Sequence, residues 1–243
     1  MKKVLFLVLS LMISFTMYAQ EIDPKTEAEY TTAYNNLSRG TKQNINYENT
    51  SKQGVVVLLT FSVDTLNKEK YLPKPAEKQN KGIVSGKDNG ILAPPVSSND
   101  KHYDYLFTMI ETRKDSCLSF FYTPNPFVLG KFYNGEEVFC TFNIRTEAGK
   151  IVTSGFEEFS WDSTKTRYRN TLSSPNLHRI KVPLKVEKFY YSESPLASKN
   201  VFGKVVLTTG AFYTKDEKFK GKYLFKRYRM TAVFQSPVNT VNK

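Results

Sequence analysis

Three kinds of side chain in this sequence are able to do chemistry: the adjacent carboxylates Glu136 and Glu137, and Glu157 and Glu158 with Asp162 nearby; the histidines His102 and His178; and the cysteines Cys117 and Cys140. Glycoside hydrolysis needs two carboxyls converging from different elements at about 5 to 10 Å. Adjacent residues of a strand point to opposite faces, so neither pair makes such a couple by itself. A nucleophile triad would have to recruit a histidine, and no Gly-x-Ser-x-Gly elbow is present. His102 follows Lys101 at the end of a polar stretch and suits a solvated surface, while His178 follows Pro175-Asn176-Leu177 and suits a turn. Neither has a Cys or second His at metal-motif spacing, so no zinc site is expected. Gly82, Gly86 and Gly90 lie in a polar segment with Asp88 where a phosphate loop needs Ser or Thr, which excludes a nucleotide loop. The sequence assigns no catalytic residue, cofactor or metal.

Two segments point to binding instead. The first, Gly155 to Asp162, carries the only tryptophan, Trp161, beside carboxylates; an exposed ring there offers its face to the CH side of a sugar, and a core position is the competing role. The second runs from Lys215 to Arg229 and interleaves cations with aromatic rings. Strand alternation puts Leu224, Tyr228, Met230, Ala232 and Phe234 on one face and Tyr223, Phe225, Arg227 and Arg229 on the other. The second face is an aromatic and basic strip suited to anionic groups through arginine forks and ring stacking. Lysines and arginines on a solvated outer strand also discourage edge pairing, which is the plainer role for the same residues.

The start of the chain sets the compartment. Lys2 and Lys3 precede an apolar run from Val4 to Phe15, and Thr16 to Ala19 closes on a small residue, the layout of a cleavable secretory signal cut after Ala19. The apolar run is shorter than the roughly 20 residues a membrane-crossing helix requires, and no second such run follows, so no transmembrane segment is expected after cleavage. The formal charge is +12, and loss of the two leader lysines leaves +10. A balance of that size attracts polyanions. In an extracytoplasmic location, periplasmic or secreted, the expected partners are an acidic glycan, the envelope surface or a protein, and nucleic acid is disfavoured. In such a compartment Cys117 and Cys140 are a disulfide candidate, with two buried free thiols as the alternative.

These residues must be positioned by strands. Residues 20–53 hold one short helix, opened by Asp23 and Pro24, striped by Tyr30, Ala33, Tyr34 and Leu37, and stopped at Gly40, followed by a polar segment. The β-branched run from Gly54 to Val63 suits a central strand buried on both faces for part of its length. Residues 67–101 hold four of the eleven prolines, three of the twelve glycines and seven lysines, a long loop. Beyond it, strands are expected at 103–112, 116–122, 127–133, 137–145, 150–161, 179–191, 201–213 and 222–235, separated by turn chemistry. Residues 54–243 are therefore expected to form a single mainly β domain, a two-layer antiparallel β-sandwich of the immunoglobulin-like kind, with a barrel as the other closure of the same strands. The functional expectation is a non-catalytic binding or assembly protein presenting its basic and aromatic β-face; the alternative is a carboxylate-dependent glycan-acting hydrolase.

Overall fold

The computed structural model describes residues 21–49, 53–66, 105–122, 138–160, 162–216 and 221–241. The expected leader, the loop at 67–101, the strand at 127–133, Trp161 and His102 fall outside these. A two-residue strand, β1 (Glu21–Ile22), precedes helices α1 (Lys25–Asn36) and α2 (Arg39–Glu48). Eight long strands follow: β2 (Gly54–Thr65), β3 (Tyr105–Arg113), β4 (Ser116–Tyr122), β5 (Val138–Glu147), β6 (Lys150–Ser160), β8 (Arg179–Tyr191), β9 (Asn200–Thr209) and β11 (Tyr223–Thr240). Two short strands, β7 (Tyr168–Arg169) and β10 (Phe212–Lys215), lie between them.

The long strands pair antiparallel in chain order, and β11 pairs with β2 on one side and β9 on the other. That closes one sheet into an eight-stranded up-and-down barrel and corrects the expectation of an immunoglobulin-like two-layer sandwich. In a sandwich the first and last strands are edges or belong to separate sheets; here Val55–Thr65 and Lys226–Gln235 zip together along almost their whole length. Closure removes the edges that two stacked sheets would leave.

Inward residues alternate along every strand and meet in one core: Val56, Leu106, Phe121, Phe142, Phe156, Val205 and Phe234 are all buried there. Eight strands enclose a space that side chains can fill. Charged groups such as Arg145, Lys181 and Lys185 point outward and are exposed. This polarity is the reverse of a lipid-facing barrel, which carries its apolar band outside. No helix among the described residues is long and apolar enough to cross a membrane.

The run at the start of β2 is apolar in both parities because both its faces are covered. Val56 faces the barrel core, while Val55 and Val57 face outward beneath the helices. Tyr30, Ala33, Tyr34 and Leu37 of the first helix and its exit pack on Val57, Val233 and Phe202, and Ile45 of α2 packs with Val55, Tyr105 and Phe107. The single helix expected up to Gly40 is two helices. Leu37 is extended, and Ser38 caps α2 by accepting from the Thr41 backbone N–H at 3.0 Å, which places Gly40 inside the second helix. A serine cap restarts a helix where its hydroxyl takes an orphan donor.

Candidate functional site

β10 continues the line of β9 past Gly210 and Ala211, pairing with β11 on one edge and β7 on the other. This small extension carries the outer face that holds the aromatic and basic strip. Arg227 and Arg229 stand on adjacent outward positions of β11, and both reach across to Asp64 of β2, their Nε atoms donating to Oδ2 at 2.9 and 2.8 Å. Two guanidinium groups share one carboxylate, so the trio keeps a net positive charge. Burial works against ionising Asp64, but the hydrogen bonds and charges of Arg227 and Arg229 outweigh it and hold its carboxyl below the ordinary range. The arginine side chains remain 34% and 53% exposed, which leaves donors directed at solvent.

Phe225 stacks on Tyr213 of β10 with ring centroids 4.6 Å apart. Tyr223 is buried; the Arg169 guanidinium lies over its ring at 4.2 Å, and its hydroxyl donates to Asn176 Oδ1, which also accepts from Arg169 Nε. The four strip residues therefore do lie on one face, joined by Arg169 and Tyr213, which the sequence reading did not include. Arg169 is brought in by the two-residue strand β7, too short to announce itself by periodicity.

The inner face of the same strand holds a charge. Lys226 lies with its Nζ over the rings of Phe212 and Tyr228 and donates to Tyr228 Oη at 2.5 Å. Tyr228 in turn donates to Glu158 Oε2 at 2.6 Å, while Glu158 Oε1 faces the ammonium at 3.7 Å. Glu158 and Lys226 are fully or almost fully buried, so each answers the other's charge where water does not. The neighbouring Glu157 points the other way, toward Arg179 at 2.9 Å and Lys181 at 3.6 Å. Glu157 and Glu158 thus occupy opposite faces and form no facing couple. The signal for the buried pair was present in the alternation, since Lys226 shares the parity of Leu224 and Tyr228, and a lysine on a core face calls for a buried counter-charge.

Cys117 and Cys140 are both buried and are not joined by a disulfide, which corrects the disulfide expectation in favour of the two buried thiols. Cys117 pairs in register with Thr146 of β5, whereas Cys140 lies six residues away along that strand. Six residues span about 20 Å, and a disulfide needs Cα atoms within about 7 Å. Cys117 instead sits 3.5 Å from Tyr191 Oη, which is also 2.6 Å from Ser119 Oγ. Burial pushes the Cys117 thiol up, against hydrogen bonds from Tyr191, Ser119 and Thr146. His178 is exposed, and its carbonyl accepts from Ser160 N–H as a turn residue.

Among the described residues no group of three or more His, Cys, Asp or Glu is arranged to hold a metal ion. Comparison with protein-family models, with curated proteins and with solved structures finds no match. Fold and site together define a class by architecture: an up-and-down eight-stranded barrel with a packed aromatic interior, helices over one flank, and an aromatic and basic outer face at one end.

Proposed function

We propose that this is an exported, non-catalytic binding protein whose outer face over β7, β10 and β11 receives an acidic glycan. The observation that carries the proposal is one outer face on which Tyr213 stacks on Phe225 beside the part-exposed guanidinium groups of Arg227 and Arg229, with Arg169, bonded to Asn176 and Leu172, covering the buried Tyr223 ring. Arginine forks take sulfate or carboxylate groups in the plane of the guanidinium, and the stacked rings give a sugar an apolar surface. The charge of +10 on the chain without its leader supplies long-range attraction. A carboxylate-dependent hydrolase has less support, because Glu157 and Glu158 diverge and each is answered by cations.

Retention on an immobilised sulfated polysaccharide tests this. Changing Arg227 and Arg229 together to Ser should elute the protein at lower salt and flatten the salt dependence, because fewer counterions are released. Exposed ion pairs contribute about 0–1 kcal/mol, so the variant should stay folded. Unchanged retention in the folded variant refutes the assignment. Export is tested separately by N-terminal mass spectrometry from the native host, with Gln20 expected as the first residue and an intact Met1 counting against it.

A further inference from the structure

An outward arginine with nothing to hold it samples many rotamers, and a ligand that binds through it must stop that motion. The ladders around β11 restrain Arg227 and Arg229 before any ligand arrives. Asp64 stands directly opposite Arg227 on β2. Arg229 stands between Ser62 of β2 and Thr208 of β9, both uncharged, and Thr208 donates to Glu187 at 3.2 Å. Arg229 turns diagonally to Asp64 instead, so the single oxygen Oδ2 takes the Nε–H of both guanidinium groups. The two Nε atoms are then no further apart than those two bonds laid end to end.

Which donors are used matters as much as how many. A guanidinium carries its N–H groups in a planar fork, and engaging Nε leaves the two Nη groups at the outer end. Among the described residues Arg227, Arg229 and Asp64 make no other side-chain hydrogen bond or ion pair. Asp64 is the least exposed of the three, 26% against 34% and 53%, so the arginines offer a ligand more surface than the carboxylate does.

We infer that Asp64 is the positioning residue of the proposed glycan face: it holds Arg227 and Arg229 side by side and leaves their Nη groups for an anionic group of the glycan. The inference rests on the glycan reading and gives a role there to an acid that charge alone would count against binding. If charge were its whole effect, removing Asp64 would strengthen attachment of any polyanion. As a positioning residue it works the other way, because arginines already restrained give up less freedom on binding.

Asp64→Asn and Asp64→Ala separate these effects, since the two variants carry the same net charge. The amide oxygen of asparagine can take both Nε–H bonds in the place of the carboxylate oxygen, and alanine can take neither. Titration calorimetry against dextran sulfate at one salt concentration gives the affinities, and circular dichroism checks that each variant is folded. Asp64→Asn is expected to bind at least as tightly as the unaltered chain. Asp64→Ala should bind more weakly than Asp64→Asn by roughly three- to tenfold, the scale of immobilising one long side chain. With Arg227→Ser and Arg229→Ser added to both, that difference should vanish, because Asp64 acts through the arginines. Equal binding by Asp64→Asn and Asp64→Ala overturns the inference, and so does a difference that survives loss of the arginines. If the unaltered chain does not bind, or binds as tightly without the arginines, the glycan reading itself fails and takes the positioning role with it.

Discussion

Gly203 of β9 and Phe234 of β11 share one space in the barrel interior: a Cβ built on Gly203 would lie 2.2 Å from Phe234 Cζ and 2.6 Å from the Tyr190 carbonyl oxygen. The ring that takes this space meets Phe121 at 5.1 Å and Tyr191 at 6.0 Å, so the glycine makes room for the aromatic centre of the core. Gly203→Ala is expected to cost about 1–3 kcal/mol through overpacking. Combined with Phe234→Leu, the loss should fall short of the sum of the two single losses, because the second change relieves the first. Urea denaturation of the four proteins measures this, and strict additivity would count against the shared space.

Lys226 and Glu158 answer each other's charge in the interior. Lys226→Met alone strands a buried carboxylate and is expected to cost about 3–5 kcal/mol, whereas Lys226→Met with Glu158→Met should recover most of that. Thermal and urea unfolding should rank the double variant above either single one. A neutral single variant would show that the pair carries no such coupling.

Asp64 links stability to acid pH. Its pKa is depressed in the folded state, so the stabilisation is present above the unfolded carboxylate value of about 4 and is lost as pH falls through the folded value. The stability gap between the unaltered chain and Asp64→Asn should be constant near neutral pH and close below about pH 4. Unfolding series from pH 6 to pH 3 measure that gap, and a pH-independent difference would refute the role of the two arginines.

Two buried thiols, one of them pushed toward the protonated form, should be slow nucleophiles. An aromatic disulfide reagent is expected to titrate neither in the native protein and both in guanidinium, and the intact mass should be the same with and without reductant. A mass two daltons lower without reductant would reveal a bond that the strand register forbids.

Local pattern alone carried much of the architecture. The alternation from Leu224 to Phe234 placed Arg227 and Arg229 outside and Tyr228, Met230 and Phe234 inside, because a strand has a period of two whatever sheet it joins. The unbroken apolar start of β2 announced burial on both faces, and Tyr30, Ala33, Tyr34 and Leu37 announced a stripe that must be covered. What those patterns could not decide was closure, since inward and outward residues alternate identically in a sandwich and in a barrel. The pairing of β11 with both β2 and β9 settled it, and such pairing depends on contacts between residues as distant in sequence as Val55 and Gln235. Distance in sequence also hid the partners of the charges: Asp64 meets Arg227 and Arg229, and Glu158 meets Lys226, only because the closed sheet fixes their registers. Cys117 and Cys140 lay close enough in sequence to suggest a bond, and the register of β4 on β5 set them apart. The strand faces were written locally; which face met which was decided by closing the ring.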